Sequence, residues 1–106
     1  MDTLSNPIPT IQTAKHSGEL LFCDHALQGM LEREITVGQI EQALDCSTVE
    51  ILEVYPQSGR PSSECLILGM DGSGRYLHIL VAYPDSEVIT TYEPVAPYWV
   101  TLRQRR

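Results

Sequence analysis

A chain of 106 residues, 42% apolar and with fourteen acidic against seven basic side chains for a net charge of −7, has room for one folded domain. No run approaches the roughly 20 apolar residues that span a bilayer. The opening Met1-Asp2-Thr3-Leu4-Ser5-Asn6-Pro7 has neither the basic start nor the apolar stretch of a signal peptide, so a cytoplasmic protein is expected, not a membrane or secreted one.

Residues 1–19 hold Pro7 and Pro9 around Ile8, recurrent Thr and Ser and no visible period, which predicts a flexible arm ahead of a single domain over 20–100. From Leu20 the spacing turns helical. Asp24 can cap, and Ala26/Leu27, Met30/Leu31 and Ile35 follow the rhythm of a buried stripe. Thr36 and Gln39 have capping-box spacing, and Val37, Ile40 and Leu44 mark a second short helix joined to the first at 34–36. After Asp45 the rhythm is that of strands, over 49–55, 64–70, 75–83 and 87–92. Asp71-Gly72-Ser73-Gly74 is a hairpin turn, lacking the further ligands of a calcium loop. Short connections between the strands imply an antiparallel meander, because parallel strands need long crossovers. The expected fold is α+β, two N-terminal helices packed on a four-stranded antiparallel β-meander.

The loop at 57–63 contains glycine and Arg60 but has no phosphate-loop pattern. Tyr98-Trp99 reads as an anchor for the C-terminal segment, and Arg103, Arg105 and Arg106 make 101–106 a basic tail. Through residue 102 four basic residues stand against all fourteen acidic ones, a net −10 that repels phosphodiester backbones and leaves nucleic-acid binding to a small local site or a helper. Cys23, Cys46 and Cys65 form no CxxC pair and are expected to be reduced and structural, so neither a zinc site, another metal nor a cofactor is expected.

A few polar residues run against the pattern. His25, Gly29 and Arg33 fall on one helical line, and His78 interrupts an apolar strand, on the side it shares with Tyr76, Leu80 and Ala82. Two imidazoles can act as acid and base near neutral pH, Arg33 can hold an anionic group by its planar fork, and Thr91 or Tyr92 can add a hydroxyl. RNA phosphodiester cleavage needs a base, an acid and positive charge, which these residues supply. The alternative reading makes each an ordinary structural group: satisfied histidines and a surface ion-pair arginine.

The string His25-Ala26-Leu27-Gln28-Gly29-Met30-Leu31-Glu32-Arg33-Glu34-Ile35-Thr36 resembles the opening signature of the family called domain of unknown function 4258. So do Pro61-Ser62-Ser63-Glu64-Cys65-Leu66-Ile67-Leu68-Gly69, Arg75-Tyr76-Leu77-His78-Ile79-Leu80-Val81 and Ile89-Thr90-Thr91-Tyr92-Glu93-Pro94, in the family's order. The resemblance implies a fold similar to the RelE and barnase group of small nucleases. For some members it implies a ribonuclease toxin paired with a zinc-finger antitoxin of the YgiT type. The matching positions are His25, Arg33, His78, Thr91 and Tyr92. Where the family commonly has Arg this chain has Gly29, which removes a charge-assisted contact of about 1.5–3 kcal/mol if that Arg binds phosphate. Two functions are therefore expected in competition: a toxin-type endoribonuclease using His25, His78, Arg33, Thr91 and Tyr92, or a non-catalytic interaction module of the same fold.

Overall fold

The structure is a computed structural model that describes residues 6–55 and 63–94. The loop at 57–62, the Tyr98-Trp99 anchor and the basic tail at 101–106 lie outside the described residues. In chain order the elements are α1 (Ile8–His16), β1 (Leu21–Phe22), α2 (Asp24–Arg33), α3 (Val37–Asp45), β2 (Glu50–Tyr55), β3 (Ser63–Met70), β4 (Tyr76–Tyr83) and β5 (Glu87–Tyr92). The strands form one five-stranded sheet in the order β1-β5-β4-β3-β2. From β2 to β5 it is the expected antiparallel meander, while β1 joins β5 in parallel.

Two features correct the expectation of two helices and four strands. Where a loose arm was expected, residues 8–16 are helical, and Ile11 is fully buried in the core. Gln12 Nε2 donates to the Leu44 carbonyl at 2.9 Å and Lys15 Nζ donates to Asp45, so α1 is held by α3. A helix with so narrow an apolar stripe is stabilised by what it docks on rather than by its own periodicity. The additional strand, β1, has only two residues, too few for an alternation to show, and exists through the Leu21 N–H bond to Ser86 O and the Cys23 N–H bond to Val88 O.

The ends of α2 are fixed by side chains. Its N-cap is Cys23, not the expected Asp24: the thiol sulfur accepts from Ala26 N–H and donates to the Ile89 carbonyl of β5, each at 3.4 Å. At the other end Glu34 adopts the left-handed conformation, φ 58° and ψ 48°, and Ile35 N–H reaches back to Met30 O at 2.9 Å. This is a Schellman ending in which Glu stands where Gly is usual. α3 opens with the expected capping box, Thr36 Oγ1 accepting from Gln39 N–H and Gln39 Oε1 accepting from Thr36 N–H.

The helices cover one face of the sheet. Ile11, Ala26, Met30, Ile35, Ile40, Ala43 and Leu44 pack against Cys65, Ile67, Leu77, Ile79, Val81, Tyr83 and Val88. β3 approaches α3 closely at Gly69, where a Cβ would collide with the carbonyl oxygen of Ala43. The opposite face is not open at its centre, because Leu66, Leu68, His78 and Ala82 are also buried.

Candidate functional site

His25 and Arg33 both lie on the exposed surface of α2, and neither side chain makes a hydrogen bond or ion pair among the described residues. They are eight residues apart, about 12 Å along the helix axis. Gly29, midway between them, changes that separation: Arg33 folds back along the helix and its Nη1 occupies the place a Cβ on Gly29 would take. The guanidinium therefore sits about one turn from the His25 position.

His78 and Tyr92 are direct partners across β4 and β5, with ring centroids 5.4 Å apart and planes tilted by 58°. Thr91 donates its hydroxyl to the His78 carbonyl at 2.9 Å and is itself buried. Strand alternation divides these three. Thr91 pairs with Ile79, whose side chain belongs to the helix-side core, whereas His78 and Tyr92 project from the other face.

The two groups do not meet in one cleft. α2 packs along β5 on the face that carries Leu77, Ile79 and Val81, so the sheet itself separates His25 and Arg33 from His78 and Tyr92. His78 is 0% exposed. The placement is thus two imidazoles on opposite sides of the sheet rather than both beside the guanidinium of Arg33. Its physical reason is the period of two in β4, which fixes His78 opposite to the residues that contact α2.

Three further side chains, those of Arg75, Asp71 and Cys23, position the elements around these residues. Arg75 donates from Nη1 to Glu34 O at 2.9 Å and from Nη2 to Arg33 O at 3.0 Å and to Glu93 at 3.1 Å, tying the end of α2 to the start of β4 and the end of β5. Asp71 organises the β3–β4 turn, its carboxylate accepting from Ser73 N–H, Ser73 Oγ, Arg75 N–H and Gln39 Nε2. Burial opposes its charge, but these hydrogen bonds outweigh burial and hold the carboxyl below its usual range. Cys23 caps α2. The partners of Arg75 lie 18, 41 and 42 residues away in the chain, so no local signal marks it, and Cys23 caps where Ser, Thr, Asp or Asn is usual, so the neighbouring Asp24 carries the local cap signal instead.

All three cysteines are free thiols, and burial pushes that of Cys65 up to about 12. Among the described residues no three His, Cys, Asp or Glu side chains come together as a metal site would require. Among the same residues no helix is long and apolar enough to cross a membrane.

No curated protein and no solved structure matches this chain. The family described as domain of unknown function (DUF4258) matches it over residues 22–93, which takes in strands β2 to β5, the second residue of β1 and the two helices α2 and α3. The chain belongs to that family.

Proposed function

We propose that this protein is a non-catalytic interaction module of the cytoplasm, one that keeps the family's α+β scaffold without a working acid–base pair. The observation that carries this reading is the burial of His78 on the sheet face away from α2, where it shares no surface with His25. General acid–base catalysis requires both groups within hydrogen-bond reach of one substrate. The net charge of −7 supports the same reading, since it works against a polyanionic substrate. Incubation of the purified protein with single-stranded RNA and with a cell-free translation mixture tests it. The expected result is no cleavage above buffer and no translational arrest; saturable cleavage that disappears in Arg33→Ala would overturn it.

A second reading is favoured by one specific feature, the exposed and unpartnered His25 and Arg33 on the same helical line. In it the protein is a RelE-like endoribonuclease in which Arg33 holds the scissile phosphate and His25 transfers a proton. His78, Thr91 and Tyr92 support the sheet from within, and a zinc-finger antitoxin of the YgiT type is the partner. That reading requires cleavage to fall in both His25→Ala and Arg33→Ala.

A further inference from the structure

The outward line of α2 reads Asp24, Leu27, Leu31, at spacings of three and four, with Glu34 directly past the helix end, so the two leucines lie together near acidic residues. Leu27 is 46% exposed and Leu31 83% exposed, although the same helix buries Ala26 and Met30. A single exposed leucine needs no explanation, but two in line on an otherwise polar face form a patch that folding does not require. The rim is acidic and largely unneutralised. Asp24 and Glu34 make no side-chain hydrogen bond or ion pair among the described residues, and Glu32 is met only by the amide of Gln28 at 3.3 Å. The one arginine of the helix is turned away over Gly29.

Among the described residues β2 is an outer strand of the sheet, and it has the features of a protected edge: a register shift between Ile51 and Glu53, and glutamates at 50 and 53. This leaves the α2 face as the better docking surface.

We infer that Leu27 and Leu31 of α2 form a docking face for a basic amphipathic helix of a partner protein. This rests on the interaction-module reading and names its surface and partner chemistry. Charge complementarity selects the partner. A helix presenting leucine-like side chains along one stripe covers the two exposed leucines, and lysines or arginines flanking that stripe meet Asp24, Glu32 and Glu34. α2 is about 15 Å long, which accommodates two turns of such a partner.

The test measures binding of a fluorescent synthetic helix of leucine and lysine, its leucines spaced i, i+3, i+4, i+7, against a scrambled peptide of equal composition. The full chain is titrated in parallel with Leu31→Glu and with the double variant Leu27→Ala/Leu31→Ala; these positions are exposed, and thermal unfolding verifies that each variant folds. Saturable binding of the patterned peptide, weaker by roughly tenfold or more for the scramble and for both variants, is expected. Leu31→Glu is the decisive variant, because it adds negative charge: simple electrostatic attraction of a cationic peptide would strengthen, whereas docking on the leucines is lost. Equal binding of the scramble, or unchanged binding by Leu31→Glu, overturns the inference. So does concentration-dependent self-association that Leu31→Glu abolishes while the peptide fails to bind, since the occupant is then a second copy. Failure of the peptide together with absence of RNA cleavage removes this surface alone, whereas Arg33-dependent RNA cleavage removes the interaction-module reading itself.

Discussion

Gly29 and Gly69 are both buried glycines on the helix side of the fold, and what surrounds each predicts opposite outcomes on substitution. At Gly69 the obstacle is the backbone carbonyl of Ala43, which cannot move without shifting α3. Gly69→Ala should destabilise the protein by about 2–3 kcal/mol in urea unfolding. At Gly29 the obstacle is the tip of the Arg33 side chain, which can swing into solvent. Gly29→Ala should therefore recover helix propensity and stabilise by up to about 1 kcal/mol, an outcome the same unfolding measurement reads directly. Asp71 gives a pH-dependent counterpart. Its carboxyl is depressed in the folded state relative to the roughly 3.9 of an unfolded aspartate. The unfolded chain thus takes up the proton first. Its contribution is complete above the unfolded value and is lost as pH falls through the depressed folded value. Urea midpoints measured across acidic pH should show this slope in the wild type and a flatter one in Asp71→Ala, which also loses about 1–3 kcal/mol at neutral pH.

The elements themselves divide into those that announce themselves in sequence and those that do not. β3, β4 and β5 fall within a residue of the expected strands because long alternation and the Asp71-Gly72-Ser73-Gly74 turn are local signals. The Thr36/Gln39 box marked the start of α3 for the same reason. α1 and β1 carry no local signal because each depends on a distant surface: Ile11 needs the core, and Leu21 needs Ser86. For the candidate site, alternation in β4 already placed His78 opposite Leu77 and Ile79. What no spacing could show was which face α2 would cover. The end of α2 offers a direct test of one long-range tie. Arg75→Met keeps much of the side-chain volume but removes the donors to Arg33 O, Glu34 O and Glu93. Amide hydrogen exchange should rise through the last turn of α2 while the β3–β4 ladder stays protected, with a loss of about 1–2 kcal/mol in global stability. Glu34→Gly should act in the other direction, gaining about 0.5–1 kcal/mol by relieving a side chain held at positive φ.

Seen as one body, the domain places a titratable reporter at its centre. Cys65 lies in the core with its thiol pushed up to about 12, while Cys23 and Cys46 are half-buried near helix ends. Alkylation of the native protein at about pH 8 should modify Cys23 and Cys46 readily and Cys65 only at the rate of global opening, as peptide mass spectrometry would resolve. Fast labelling of Cys65 under native conditions would contradict the packing described for β3. The parallel pairing of Leu21 and Phe22 with Glu87 and Val88 has a further consequence for how the chain is made. On a ribosome the segment carrying α2 emerges long before β5, the strand against which it rests. Until that late strand clears the exit tunnel, the early helix has its apolar stripe uncovered and its capping sulfur without the Ile89 carbonyl. The contact between α2 and β5 therefore forms late in biosynthesis, and a translational pause before residue 87 should hold a nascent chain with its apolar inner surface available to chaperones.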